Sequence, residues 1–506
     1  MKIYINRGKV LRFAIVLLTL FTLSCENDFL DKNPLKEISS PTFWNTQNDA
    51  DMALAGCYSR LNTSTFNFHN LSFDVLGGEA SRGDGNAQNM ALGLIEATSG
   101  GLISSVYTDC YRGIASCNYF LANIDKTPIS AGTIDTYKGE VLFLRALFYF
   151  TLTDYYGGVP LYTEPFENID EAKIEQSSKA EVIAQVIADL DVAIAQLPNT
   201  DYSSTGHAVK GSALALKSRV LLFQEDWSGA AAAANQVMTD GKFSLSNDFK
   251  NMFLVYGQDA NPEIMFSTRY LNPDNSSQQD IQMEWWGAWH PREELRDAFE
   301  CTDGLPITES PLYDPANYKL NRDPRLELTL KPFVDPAIKA SGEVVPYSYN
   351  TPSSTGYMPT KGADVEELPV DYSTLSEQDW ILIRYAEVLL NFAEATNEIS
   401  GPTIAVYDAV NAVRGRTGIE MPPLPDGLTK DEMRTRIWNE RRVEFALEGR
   451  RFGDIKRWKL AETYLNTLVE PDSGVPRVFN PAKHYLWPFP QSEMDVNPNL
   501  QQNPGY

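Results

Sequence analysis

A chain of 506 residues, 43% hydrophobic and 11% aromatic, has room for two to four domains and enough apolar side chains for a large core. Its 67 acidic side chains outnumber the 43 basic ones, and the formal charge of −24 argues against a nucleic-acid partner, whose phosphates it would repel. Such a surface keeps a protein dispersed or meets neutral and cationic ligands.

Residues 1–24 read as a targeting segment. Lys2, Arg7, Lys9 and Arg12 precede an apolar core at 13–23 that is too short to span a bilayer. Leu23, Ser24 and Cys25 resemble a bacterial lipoprotein cleavage site, with Cys25 as the acylated first residue of the mature body, 25–506. Thr22 departs from the usual leucine, and a plain secretory signal is the alternative. Acyl chains on Cys25, palmitate among them, would anchor a soluble body to a membrane face. A polar tether follows, with one apolar hook at Phe29-Leu30. The remaining cysteines, Cys57, Cys110, Cys117 and Cys301, form no CxxC pair, and with only four histidines they argue against zinc. Cys110 and Cys117 share a helical face and read as core thiols. No cofactor is read from the sequence.

Apolar spacing predicts a first helix over 49–61. From 62 to 101 the pattern dissolves into Gly, Ser, Asn and Asp, and a loop of that length is usually functional or disordered. It carries His69, Arg82, Asp84, Asn86 and Asn89, all able to hydrogen-bond a polar ligand. Helices resume at 104–124 and 137–156, the latter apolar on every face apart from Glu140 and Arg145, as a central buried helix would be. Ser178 and Glu181 form a capping box that opens a helix ended by Pro198. Two helices over 209–225 and 228–240, rich in alanine, pair as in tetratricopeptide hairpins, and 380–397 with 403–416 form a similar pair.

Between these pairs the composition changes. Residues 262–369 hold 13 of the 30 prolines, and short strands are predicted at 263–268 and 326–330. Glu284-Trp285-Trp286-Gly287-Ala288-Trp289-His290 gathers three of the nine tryptophans. One reading is a buried cluster. The other is a loop that shows Trp285, Trp286 and Trp289 to solvent, where flat apolar rings beside hydrogen-bonding side chains suit the faces and hydroxyls of sugars.

Near the C-terminus, helical spacing puts Met433, Ile437, Glu440, Glu444 and Leu447 on one face. Glu440, Glu444 and Glu448, four apart, would be costly buried alone, so arginines must meet them; Arg441, Arg442 and Arg451 are the local candidates. Gly449 suits the helix C-cap and Asp454 the next turn. A catalytic pair would need two acids facing across a cleft at roughly 5–10 Å, not a row on one helix.

Taken in order, several segments resemble the SusD/RagB family of outer-membrane lipoproteins. They are Ser24-Cys25 with Phe29-Leu30-Asp31 and Pro34; Trp44 and Ala53 to Tyr58; Tyr111 to Ile114 with Asn118; Gly139 to Ala146, ending at Gly157-Gly158-Val159-Pro160; Asn261 to Ile264; Phe299 with Asp303-Gly304; Asn321 to Arg325; Arg384 to Ala395; Asn411 to Arg414; the 438–458 stretch; and Pro488 to Tyr506. The resemblance implies a mostly α body on a tetratricopeptide-like helical-hairpin scaffold (about 40–245 and 378–470), with an inserted loop-rich, short-strand ligand face (about 246–377). It also implies surface binding of a glycan or oligosaccharide, delivered without catalysis to a SusC-like TonB-dependent transporter in the outer membrane. A glycoside hydrolase and a purely structural lid are the competing functions.

Overall fold

The computed structural model describes residues 43–82, 86–346 and 349–506. The leader, Cys25, the Phe29-Leu30 hook and Asp84 therefore lie outside the described residues.

Helix α1 (Gln47–Tyr58) opens on a capping box between Thr46 and Asp49. Then come α2 (Leu102–Asn123), α3 (Ala131–Tyr156), α4 (Lys179–Gln196), α5 (Lys210–Phe223) and α6 (Trp227–Asp240). Each of α2 to α6 packs against the next. Helix α6 then packs on α7 (Tyr385–Ser400), and α7 on both α8 (Ile404–Arg414) and α9 (Lys430–Glu444), so the stack resumes although residues 241–384 intervene. Buried Leu222, Ala230 and Ala395 mark where α5, α6 and α7 meet closely. The molecule is mostly α, a run of helical hairpins with short strands.

Helix α3 begins earlier than its apolar pattern because Ser130 caps it, accepting from the Thr133 N–H. It is the central buried helix, and its two charged residues are matched by neighbours. Arg145 makes paired contacts with Asp189 of α4 at 2.7 and 2.8 Å, and Glu140 accepts from the Tyr58 hydroxyl at 2.6 Å. Gly113 is required where α2 crosses α3, since a Cβ there would sit 2.4 Å from the Phe148 ring. The capping box at Ser178 and Glu181 forms as expected. Cys57, Cys110, Cys117 and Cys301 are buried free thiols.

Three sequence expectations are corrected. Residues 380–397 are not one helix: Trp380–Arg384 is a fully buried strand paired antiparallel with Ile264–Thr268, and the helix starts at Tyr385. A short apolar run fits either element, and here the partner strand decides. Residues 326–330 are mostly a helical turn, Arg325–Thr329, started where the Asp323 carboxylate accepts from the Arg325 N–H; only Leu330–Pro332 is extended. The 62–101 stretch is not all loop, since Leu71–Leu76 and Ala87–Ala91 are helical and the first is wholly buried.

The carboxylates of α9 form a buried ion network, but not with their sequence neighbours. Arg325 reaches Glu440 at 2.6 Å and Glu444 at 2.9 Å; Arg384 reaches Glu444 at 2.6 Å, Glu448 at 2.7 Å and Glu263 at 2.8 Å. Arg416 joins Glu444 to Glu263, Arg414 joins Glu440 to Glu300, Arg436 reaches Glu300, and Lys361 reaches Glu448. With Asp323 on Arg325, the acids Glu263, Glu300, Asp323, Glu440, Glu444 and Glu448 are matched one for one by five arginines and a lysine. The local candidates go elsewhere: Arg441 to Asp454, and Arg442 and Arg451 to Glu79. Helix α9 also ends at Glu444, with Leu447 at φ 59° outside it. Arg384 and Lys361 donate to the Glu444 carbonyl, and Lys361 to that of Ala446, taking acceptors that a longer helix would have used.

Candidate functional site

The tryptophan segment folds as a π-helical turn, Ile281–Trp285, closed by the Trp286 N–H donating to the Ile281 carbonyl. Gly287 follows at φ 59°, and the chain reverses into the short strand His290–Pro291. That strand pairs antiparallel with Ala80–Ser81, which docks the 62–101 segment beside the turn. The dock is held from the scaffold. Glu79 takes Arg442 and Arg451, its carbonyl accepts from the Arg292 N–H at 2.9 Å, and Ser81 donates to Glu470 at 2.7 Å.

The three tryptophans have three fates. Trp286 is 38% exposed. Trp285 is half-buried against a small apolar cluster that includes Ile281, Val345, Leu368 and Val370. Trp289 is fully buried, edge-on to Phe68 at 6.0 Å and to His69 at 6.2 Å, and its indole N–H finds no acceptor among the described residues. The expectation that all three rings face solvent is thus corrected at Trp289, because the turn at Gly287 sends the following residues back into the core. A Trp289→Ala variant should lose about 3–5 kcal/mol of stability, read as a lower urea midpoint.

A ring the sequence reading missed joins the turn. Tyr372, 67% exposed, lies 5.6 Å from Trp285 and 5.8 Å from Trp286, at interplanar angles of 60° and 74°. Its sequence signal was a single aromatic in the polar run Asp371-Tyr372-Ser373. Trp286 and Tyr372 together give a cornered, outward-facing aromatic surface.

Of the predicted polar residues, His69 packs beside Trp289, and Arg82, half-buried in a left-handed conformation at φ 51°, acts electrostatically on His290. Asn86 is tied to the start of α2 instead: it donates to the Gly100 carbonyl at 3.1 Å and accepts from the Leu102 N–H at 3.0 Å. Asn89 is exposed on the short helix Ala87–Ala91.

His290 clamps the turn. Its Nδ1 accepts from the Ser354 N–H at 3.1 Å, so Nε2 carries the proton and donates to the Gly287 carbonyl at 2.9 Å. Burial, reinforced by Arg82, lowers its pKa to about 4 and keeps the ring neutral. On the same turn Glu284 is buried, as is Asp280 at its start. Both Glu284 carboxyl oxygens lack a hydrogen-bond partner among the described residues. Burial, then the nearby Asp280 and Asp364, push Glu284 well above the carboxylate range, and burial lifts Asp280 to about 6. The turn therefore carries a buried carboxyl, Glu284, that holds its proton to higher pH than an exposed glutamate does.

The chain as a whole is similar to known proteins. A profile described as SusD family matches residues 249–506, and one described as starch-binding, associating with outer membrane, matches 28–222. SusD-like protein P2 of Formosa agariphila is 30% identical, over 98% of this chain and 99% of its own. A SusD-like carbohydrate-binding protein from Bacteroides fragilis superposes with a TM-score of 0.79 at 27% identity, covering 91% of this chain and all of that one. A laminarin-binding SusD-like protein gives 0.68 at 25% identity, over 92% of this chain and all of its own. With a family profile across half its length and helical relatives along nearly all of it, this chain belongs to the SusD family.

Proposed function

We propose that the chain is a non-catalytic glycan binder of the outer membrane that passes oligosaccharide to a SusC-like TonB-dependent transporter. The observation that carries this reading is the outward pair of rings, Trp286 on a clamped turn and Tyr372 packed beside it. Apolar ring faces stack on sugar rings, and at the corner between them a glycan could meet both. Trp285 supports the pair from behind, with Arg82, Asp84 and Asn89 as polar partners. The loop-rich stretch of about 246–377 serves as the ligand face, carried by the helical scaffold. The relatives described as carbohydrate-binding and laminarin-binding support the ligand class. The buried acids Glu440, Glu444 and Glu448 favour binding over hydrolysis, since each is already engaged by a guanidinium or ammonium group.

Affinity electrophoresis and calorimetry of the purified protein against a polysaccharide panel test the reading. Binding to one glycan class with no new reducing ends is expected; no binding across the panel, or release of sugars lost on mutating one carboxylate, overturns it. For the anchor, Cys25→Ala should abolish incorporation of labelled palmitate and release the protein from the outer-membrane fraction. Retained label in that variant would remove Cys25 as the lipidation site.

A further inference from the structure

A groove of about 480 Å³ runs between α2, the irregular stretch 160–173 and the C-terminal helix Gln491–Val496. Its lining is chiefly apolar, and several side chains are strongly exposed: Tyr119 at 45%, Phe166 at 45%, Ile169 at 61% and Val496 at 54%. It lies apart from the tryptophan turn, and none of the rings at that turn lines it. An open apolar groove of this size on a strongly acidic protein calls for an occupant.

The described chain begins beside it. Trp44 is buried, 5.6 Å from Phe120 and 6.3 Å from Tyr119, and Tyr119 lines the groove. Ahead of Trp44 runs Glu26-Asn27-Asp28-Phe29-Leu30-Asp31-Lys32-Asn33-Pro34, whose only adjacent pair of large apolar residues is Phe29-Leu30. Twelve residues lie between Leu30 and Phe43, a reach of up to about 45 Å when extended, ample to lay that pair anywhere along the groove. The pair is bracketed by Asp28 and Asp31. On the rim stands exposed Arg112, which makes no ion pair among the described residues. Glu164 and Glu493 also line the groove, as does Lys173, which is already paired with Asp170 at 2.7 Å, so an acidic segment fits best with its carboxylates turned toward Arg112.

We propose that this groove is the seat of the chain's own residues 28–34, with Phe29 and Leu30 in the apolar floor and Asp28 or Asp31 against Arg112. Attachment at Trp44 gives the segment a high effective concentration there, which any partner in trans must exceed. The docking stands independently of lipidation. Its consequence, a tether leaving the body from the α2 face, rests on the anchor proposed at Cys25.

Paired cysteines test it in the full chain. Leu30→Cys with Ile169→Cys should close an intrachain crosslink, under a short bis-thiol reagent, at least tenfold faster than Leu30→Cys with Ile404→Cys. Both second positions are highly exposed, at 61% and 80%, so reactivity alone does not separate them. In a second measurement, Phe29→Ser with Leu30→Ser should raise deuterium uptake of the 162–173 stretch. Equal rates for the two pairs with unchanged uptake overturn the proposal. Crosslinks formed between chains overturn it in favour of a second copy in the groove.

Discussion

Glu444→Gln should cost at least about 3 kcal/mol of stability and leave a protein that unfolds at clearly lower urea. Breaking a buried pair on one side typically costs about 3–5 kcal/mol, because the surviving charge is left without compensation. Glu444 is fully buried and faces three guanidiniums at once, Arg325, Arg384 and Arg416. The amide keeps the shape and removes the charge, so packing is spared and the loss is electrostatic. A loss of that size is a large part of the roughly 5–15 kcal/mol that holds an ordinary domain folded. By contrast, Glu343→Gln removes the exposed partner of half-buried Lys339, at 3.7 Å, and should change stability by less than about 1 kcal/mol.

The same site carries a pH signature. Burial alone would raise the Glu444 pKa, but Arg416, Arg384 and Arg325 more than offset it and hold the group far below the usual carboxylate range. The folded state then binds fewer protons here than the unfolded chain. The contribution is complete above the unfolded pKa of about 4.3 and is lost as pH falls through the folded value. The deficit of Glu444→Gln relative to wild type should therefore be constant from pH 8 to 5 and narrow below about pH 4. A deficit that grows on acidification would contradict the network as the source of the loss.

The scaffold was legible because its signals are local. The capping box at Ser178 and Glu181, the all-round apolar pattern of α3 and the alanines of α6 each act within a turn or two, and each produced the element it implied. What failed depended on partners distant in sequence. Trp380–Arg384 became a strand because Ile264–Thr268 lies beside it. The acids of α9 chose Arg325, Arg384, Arg414 and Arg416 over nearer arginines because folding brings those guanidiniums into the core. At the candidate site, spacing located the tryptophan turn but could not say which ring stays outside. That was decided by Gly287 and by the His290 clamp, whose Ser354 partner is remote in sequence. Tyr372 was invisible for the same reason, since its meaning comes from Trp285 and Trp286 arriving beside it.

Trp286→Ala should weaken glycan binding by about thirty-fold, the equivalent of roughly 2 kcal/mol expected of a central aromatic anchor. Being 38% exposed, the ring can be removed with little damage to the fold, so the unfolding midpoint should stay near wild type. Tyr372→Ala should act in the same direction. Because the two rings lie 5.8 Å apart and would share one ligand, the double variant should lose less than the sum of the single losses. Trp286→Phe should recover part of the affinity, since a smaller flat face remains. Trp285→Ala should behave differently, losing stability along with affinity, because its half-buried ring packs on the apolar cluster under the turn. Calorimetry on the best glycan of the panel, paired with urea unfolding of every variant, separates these cases. Full affinity in both Trp286→Ala and Tyr372→Ala would move the ligand elsewhere on the molecule, whereas affinity lost only in step with stability would make the rings structural.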